Sequence, residues 1–222
     1  MKVSAKAFLF DLNGTIIDDM HYHAEAWHTV INDELGAKLS WDEVRKQMYG
    51  KNSEVLARIF GEDRFSEEQA QELSLEKERF YQEAYRPHMK LIGGLHDFLE
   101  QAKAHDVKMA IASAAITDNV DFILDNLDIR HFFNAVVSAD DVHTSKPDPE
   151  TFLKAAEKLQ TDAEDCIVFE DAPKGVEAAQ NAGMKCVVIT TAHPKEDFSQ
   201  YDNVVAFIAD YTEPFIKEFF QQ

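Results

Sequence analysis

The chain has 222 residues, of which 45% are hydrophobic and 11% aromatic, so an intrinsically disordered protein is excluded. Its 22 basic and 41 acidic residues give a formal net charge of −19. Nucleic acids and anionic membranes are therefore not expected as partners, because an acidic surface repels both. A small anionic substrate is not excluded, since it needs only a metal ion or a local positive group.

The two cysteines, Cys166 and Cys186, each precede an apolar run. We expect free thiols buried in the core of a protein from a reducing compartment, and not a disulfide framework. The N-terminus lacks the apolar region of a signal peptide, and no apolar stretch reaches the roughly 18 residues of a membrane span. The sequence therefore predicts a cytoplasmic protein.

Six short apolar runs alternate with polar segments of helical pattern, which predicts an α/β protein with a Rossmann-like, doubly wound, mostly parallel sheet. Helices are expected after Gly94, Pro149 and Pro173, over about 119–127, and from about Glu213 to the end. The predicted strands are Ala7–Phe10, Met109–Ala112, Ala135–Val137, Ile167–Phe169, Val187–Ile189 and Val204–Ile208.

Residues 18–86 interrupt this alternation with helical periodicity alone. The patterns Ser-x-x-Glu at Ser40 and Ser-x-x-Gln at Ser66 are typical of capping boxes that begin helices. We predict a four-helix domain over 18–86, inserted into a core formed by 1–17 and 87–222. Gly14 and Gly93 lie near its two edges, where hinge torsions could be absorbed.

Chemically active side chains follow several of the predicted strands. Asp11 follows the first, Ser113 the second, and Glu170 and Asp171 the strand that begins at Cys166, while Lys146 precedes a helix. Ligands of open α/β sheets bind beyond the carboxyl ends of the strands. Each residue alone is ordinary loop chemistry, but together they indicate an anion or metal site.

These motifs, with Asp11-Leu-Asn-Gly-Thr15 and Lys146-Pro147, resemble those of the haloacid dehalogenase superfamily of phosphohydrolases over essentially the whole chain. The helical insertion would then be a cap domain. The runs 171–179 and 21–27 resemble the β-phosphoglucomutase subgroup.

The resemblance implies that Asp11 attacks phosphorus and forms an aspartyl-phosphate. It implies a Mg²⁺ cofactor held by Asp11, the main-chain carbonyl of Asn13 and Asp171, with Glu170 adjacent or bridging through water. Catalysis would then depend mainly on positioning and electrostatics.

The same resemblance assigns phosphate binding to Ser113, to the backbone that follows it at Ala114, and to Lys146. Lys146 would also neutralise charge on the phosphoryl oxygens and restrain the nucleophile.

Asn13 occupies the position at which the superfamily has an acid-base aspartate. An amide cannot release or take up a proton near neutral pH. Three explanations are open: an introduced Asp→Asn change, a slow or specialised phosphatase whose substrate has a good leaving group, or a site that only binds phosphorylated ligands.

In the predicted cap, the resemblance assigns substrate contacts to His23, Trp27, Gly50 and Lys77. A structural role for His23 and a solvated position for Lys77 are the alternatives. The arginine with which the subgroup holds a second phosphate is replaced by Ser53, although Lys51 is near.

The sequence thus predicts a monomeric, Mg²⁺-dependent phosphohydrolase that acts on a small phosphorylated metabolite, with a sugar phosphate expected. Two alternatives are a β-phosphoglucomutase-like phosphomutase and a catalytically silent phosphate-ligand binder. The replacements at Asn13 and Ser53 favour the phosphatase over the mutase.

Overall fold

The computed structural model describes residues 5–220 and contains, within that range, a six-stranded sheet in the order β3-β2-β1-β4-β5-β6. All neighbouring strands pair in parallel. This is the doubly wound, Rossmann-like arrangement predicted from the six apolar runs. The strands are β1 Ala7–Phe10, β2 Lys108–Ala112, β3 Ala135–Val137, β4 Cys166–Glu170, β5 Lys185–Ile189 and β6 Val204–Ile208.

The central strand β1 is apolar at every position because both faces of the sheet are covered. Ala7 and Leu9 belong to one core cluster, with Phe152 and Val176 from two of the helices. The helices that follow the strands are α5 Leu95–Ala104, α6 Thr117–Asn126, α7 Glu150–Lys158 and α8 Pro173–Asn181.

The opposite face of the sheet carries an aromatic cluster around Phe8. Its ring centroid lies 5.2 Å from that of Phe98, 5.4 Å from that of Phe169 and 5.1 Å from that of Phe219. Phe219, from the C-terminal segment, therefore packs against this face of the sheet. The helix predicted from about Glu213 is present as a 3₁₀ helix over Pro214–Phe219, whose tighter turn is typical of short segments.

The chain divides into two compact units, Met1–Asp18 with Lys90–Gln222, and Asp19–Met89. We call them the sheet unit and the helical unit. The boundaries differ from the predicted 17/18 and 86/87 by one and three residues. No helix within residues 5–220 combines the length and apolar character that crossing a membrane would require.

The regular elements described in the helical unit are all helices. They are α1 Met20–His28, continued by a π-helical turn at Thr29–Glu34, then α2 Trp41–Gln47, α3 Asn52–Phe60 and α4 Glu67–Tyr85, with a 3₁₀ turn at Arg86–His88. The capping boxes predicted at Ser40 and Ser66 are both confirmed, because each serine accepts a hydrogen bond from the amide three residues later.

Both cysteines are free and buried, as predicted. Burial, together with the charges of Asp165 and Asp162, raises the pKa of the Cys166 thiol to about 11. Burial also raises the pKa of Cys186 well above its ordinary value.

Cysteine alkylation is therefore expected to be slow in the native protein. The thiolate is the reactive species, and with a pKa of about 11 only about one Cys166 thiol in a thousand is ionised at pH 8. The labelling rate at pH 8 should rise strongly in urea, where the pKa returns to about 8.5. Equal rates with and without urea, measured by mass spectrometry, would contradict this assignment.

Candidate active site

Asp11 is placed by strand pairing at the carboxyl end of β1. Its N–H donates to the carbonyl oxygen of Phe169 over 3.0 Å, which extends the pairing with β4 by one residue. This brings Asp11 beside Glu170, the last residue of β4. Asp11 is only 7% exposed, so its carboxylate is largely removed from bulk water.

Lys146 connects the two carboxylates. Its Nζ donates to Asp11 Oδ1 over 2.7 Å and to Glu170 Oε1 over 2.8 Å. Burial acts to lower the pKa of Lys146, but the charges of Asp11 and Glu170 outweigh it and the pKa is raised. The ammonium, which also lies 4.7 Å from the ring centroid of Phe152, is therefore charged at neutral pH.

Glu170 is fixed by contacts on both carboxylate oxygens. Oε1 accepts from Lys146, and Oε2 accepts from the backbone N–H groups of Asp171 and Ala172, each over 2.8 Å. Gly175 leaves room for this carboxylate, because a Cβ there would lie 1.7 Å from Glu170 Oε1. A side chain at position 175 would therefore displace Glu170.

Asp11, Glu170 and Asp171 form a buried carboxylate cluster, in which each offers an oxygen within 4.8 Å of the others. Three carboxylates face the single ammonium of Lys146. Hard oxygen donors with excess negative charge are the ligands that Mg²⁺ prefers. The residues present thus fit a magnesium ion, and the donor set contains no sulfur or imidazole that would favour zinc instead.

Gly14 shapes the turn that follows Asp11. Its φ of +75° lies in the left-handed region, and a Cβ there would lie 2.1 Å from Asp171 Oδ2. The Gly14 carbonyl accepts a hydrogen bond of 2.6 Å from Thr191 Oγ1. The backbone at Gly14 therefore lies directly against the side chain of Asp171, a member of the carboxylate cluster.

Substituting alanine for Gly14 tests this close approach, and Gly36 provides a matched control. Gly36 also has positive φ, +70°, but a Cβ there would meet nothing within 4 Å. We expect Gly36→Ala to cost about 1 kcal/mol of stability from backbone strain alone. Gly14→Ala should cost more and should also weaken Mg²⁺ binding, because Asp171 must move. Equal unfolding free energies and equal Mg²⁺ affinities would contradict the crowding.

The other predicted residues of the sheet unit lie at strand ends and turns. Ser113 follows β2, is 1% exposed, and accepts a hydrogen bond on Oγ from the N–H of Ala115. Ala114, between them, is partly exposed. Asn13 is half-buried and forms an isolated bridge with Ile17. The structure thus brings Asp11, Lys146, Glu170 and Asp171 together directly.

Two predicted residues of the helical unit, His23 and Lys77, belong to a buried polar network. Lys77 Nζ lies 2.7 Å from His23 Nδ1 and 3.0 Å from each oxygen of Glu78. Burial lowers the pKa of Lys77, which the charges of Glu78 and Asp19 oppose. Lys77 is only 2% exposed, so the alternative of a solvated lysine is wrong.

Trp27 and Gly50 lie in different surroundings. Trp27 is 3% exposed and packs in the apolar core of the helical unit with Val30, Val44 and Leu56. Its ring centroid also lies 5.4 Å from Lys77 Nζ, and the substrate contact of Trp27 stays a prediction. Gly50 lies between α2 and α3 with a φ of +77°.

Four residues that shape the site were not predicted to do so from the sequence: Phe152, Gly175, Thr191 and Tyr211. Tyr211 is fully buried and donates from its hydroxyl to the Thr15 carbonyl over 3.1 Å. Burial, with the charges of Asp11 and Asp171, raises its pKa well above the ordinary value. Gly175 lies in the run 171–179 that carries the resemblance, and Thr191 closely follows β5, where the carboxyl ends of strands carry ligand-binding groups.

Comparisons with known proteins agree with this geometry. Residues 8–189 match the family described as haloacid dehalogenase-like hydrolase. The chain is 33% identical to a β-phosphoglucomutase of Bacillus subtilis, over 85% of each chain. It is 29% identical to a validoxylamine A 7′-phosphate phosphatase of Streptomyces hygroscopicus, over 95% of this chain and 98% of the relative.

Solved structures show the same architecture. A crystal structure of a haloacid dehalogenase-type hydrolase from Entamoeba histolytica superposes with a TM-score of 0.86 at 28% identity, covering 97% of both chains. Relatives of the chain include phosphatases and a β-phosphoglucomutase. The chain is therefore a phosphatase or phosphotransferase enzyme that belongs to the haloacid dehalogenase superfamily, in its β-phosphoglucomutase-like subgroup.

Proposed function

We propose that the protein is a Mg²⁺-dependent phosphohydrolase that acts on a small phosphorylated metabolite through an aspartyl-phosphate on Asp11, with turnover slowed by Asn13. The observation that carries this proposal is the position of Lys146, whose ammonium bonds both to Asp11 Oδ1 and to Glu170 Oε1. A carboxylate held by a buried cation at a strand end is oriented to act as a nucleophile.

In the first step, a carboxylate oxygen of Asp11 bonds to phosphorus while the bond between phosphorus and the leaving oxygen breaks. Lys146 holds Oδ1, which orients the carboxylate for attack through Oδ2. Ser113 and the backbone at Ala114 would bind the phosphoryl oxygens. Asp11, Asp171 and the Asn13 carbonyl would hold Mg²⁺, with Glu170 adjacent, and the ion would offset the repulsion between the carboxylates and the phosphate.

In the second step, water attacks phosphorus, the bond from phosphorus to Asp11 breaks, and inorganic phosphate is released. Both steps move a proton, first to the leaving group and then from water. The Asn13 amide can orient either group by hydrogen bonding, but it cannot carry the proton. Substrates whose leaving groups depart as stable anions, such as acyl phosphates, should therefore be turned over best.

The names of two relatives support the substrate class that we propose. Fructose-1-phosphate phosphatase of Escherichia coli is 32% identical over 81% of this chain, and β-phosphoglucomutase acts on a sugar phosphate by its name. We propose a sugar phosphate as substrate, with His23, Trp27, Gly50 and Lys77 as substrate-binding residues. Hydrolysis is favoured over phosphate transfer between sugars because Ser53 supplies no positive charge for a second phosphate.

Phosphate release from a panel of phosphometabolites, with Mg²⁺ and with a chelator, tests the proposal. We expect turnover that requires Mg²⁺ and is abolished in Asp11→Asn. The exposed Asp202 provides the matched control, because Asp202→Asn removes an equal charge from the surface. Turnover that persists in Asp11→Asn would refute the nucleophile, and transfer of phosphate without its release would favour the mutase.

A further inference from the structure

Two side chains of α3, Arg58 and Glu54, contact the segment that joins α2 to α3, residues 47–51. We call this segment the Gly50 loop. Arg58, on α3, donates from Nη2 to the carbonyl oxygen of Gln47 over 2.6 Å and to that of Tyr49. One nitrogen, with its two N–H bonds, thus holds two carbonyls of the loop.

The same guanidinium also stacks on the loop. Its central carbon lies 3.7 Å from the ring centroid of Tyr49, within the range of a strong cation–π contact. Tyr49 is nevertheless 43% exposed, so the ring is held against the arginine and not buried in the core. At the other end of the loop, the N–H of Lys51 donates to Glu54 Oε2 over 3.0 Å. Side chains of α3 therefore fix both ends of the loop.

Within residues 5–220, the Nε–H group of Arg58 is buried without a hydrogen bond, which destabilises the fold and which packing alone does not explain. This nitrogen is buried, and in the part of the chain that the structure describes it has no hydrogen-bond partner. An unpaired buried donor destabilises the fold. In this orientation Arg58 lacks a hydrogen bond at Nε to any described residue, while its Nη2 group and the flat face of its guanidinium contact the loop. A side chain that served only the stability of α3 would not be arranged in this way.

We propose that Arg58 is a positioning residue that holds the Gly50 loop in its substrate-binding conformation. The proposal rests on the proposed function, in which the backbone at Gly50 contacts the substrate. Gly50 itself has positive φ and no side chain with which to anchor the loop, so the anchor must come from elsewhere. Lysine would not replace Arg58, because it lacks the planar group that bonds two carbonyls while stacking on a ring.

The variants Arg58→Lys and Arg58→Met test the proposal, with two readouts. Amide hydrogen exchange over residues 47–51 should accelerate in both, because the loop loses its anchor. KM for the best metabolite should rise roughly tenfold, the change expected for loss of about one charge-assisted hydrogen bond, while kcat changes little. Arg79, which pairs with Glu76 on the exposed face of α4, is the matched control, and its Lys and Met variants should change neither readout.

Each outcome decides the proposal. Unchanged exchange in the Arg58 variants would refute the anchor. Faster exchange with an unchanged KM would refute the role in substrate binding. A wild-type protein that turns over no phosphate would refute the proposed function instead, and exchange alone would then decide whether Arg58 anchors the loop.

Discussion

Replacing Asn13 with aspartate is expected to raise turnover of an alkyl phosphate roughly 10²–10⁴-fold, the usual contribution of general acid-base catalysis. An alkoxide leaves slowly unless it is protonated, and Asn13→Asp supplies a group that can deliver that proton and later accept one from water. The gain should be smaller for an acyl phosphate, because its leaving group needs no proton. Steady-state rates for the two substrate types measure both effects.

Asn13→Gln is the matched control for this experiment, because it retains an amide and should stay slow on both substrates. Spontaneous deamidation of Asn13 would itself produce aspartate at this position in the wild-type protein. Asn13 precedes Gly14, and the glycine nitrogen of an Asn-Gly sequence can attack the side-chain amide, release ammonia and yield aspartate after hydrolysis. Peptide mass spectrometry must therefore exclude a deamidated fraction in the wild-type protein. Equal rates for Asn13→Asp and Asn13→Gln would contradict the missing-proton explanation.

Replacing Lys146 with methionine is expected to have the second-largest effect. It removes the cation that orients Asp11 and neutralises charge on the phosphate, so kcat should fall about 10²–10³-fold. Asp11 and Glu170 would also lose the buried ammonium that they share. Loss of one member of a buried ion pair typically costs about 3–5 kcal/mol.

Urea unfolding of Lys146→Met with and without Mg²⁺ measures this loss of stability. Mg²⁺ should restore part of the lost stability, because it offsets the same carboxylates. Lys174 pairs with Glu177 at the surface, so Lys174→Met is a control for the loss of one positive charge and should change stability by less than about 1 kcal/mol. Stability losses of equal size in the two variants would contradict the electrostatic role of Lys146.

Much of the sheet unit could be predicted because the sequence patterns that indicate its strands and its site residues are local. Each strand is a short apolar run, and Asp11, Ser113 and Glu170 stand at or directly after strand ends, where chain order alone places a ligand site. Thr191 obeys the same rule and was overlooked. Tyr211 could not be predicted, because its contact with Thr15 joins positions 196 residues apart and no motif connects them.

The helical unit was less predictable in its details because side chains on a helix give little indication of their burial. Lys77 lies on a helix of low mean hydropathy, yet its charge is buried against Glu78 and His23. The burial of Trp27 in the apolar core of the unit was likewise not indicated by its helix. The role of Arg58 could not be predicted, since its hydrogen-bond acceptors in the loop are main-chain carbonyls, which leave no mark in the sequence.

The most direct test of the central claim is to locate the phosphoryl group after a stopped reaction. The protein would be mixed with Mg²⁺ and acetyl phosphate, quenched in acid, digested and mapped by mass spectrometry. We expect phosphate on Asp11, at an occupancy that is higher in the wild type than in Asn13→Asp because Asn13 cannot activate water for hydrolysis. Turnover without phosphate on Asp11 in either protein, or phosphate on another residue, would contradict the account.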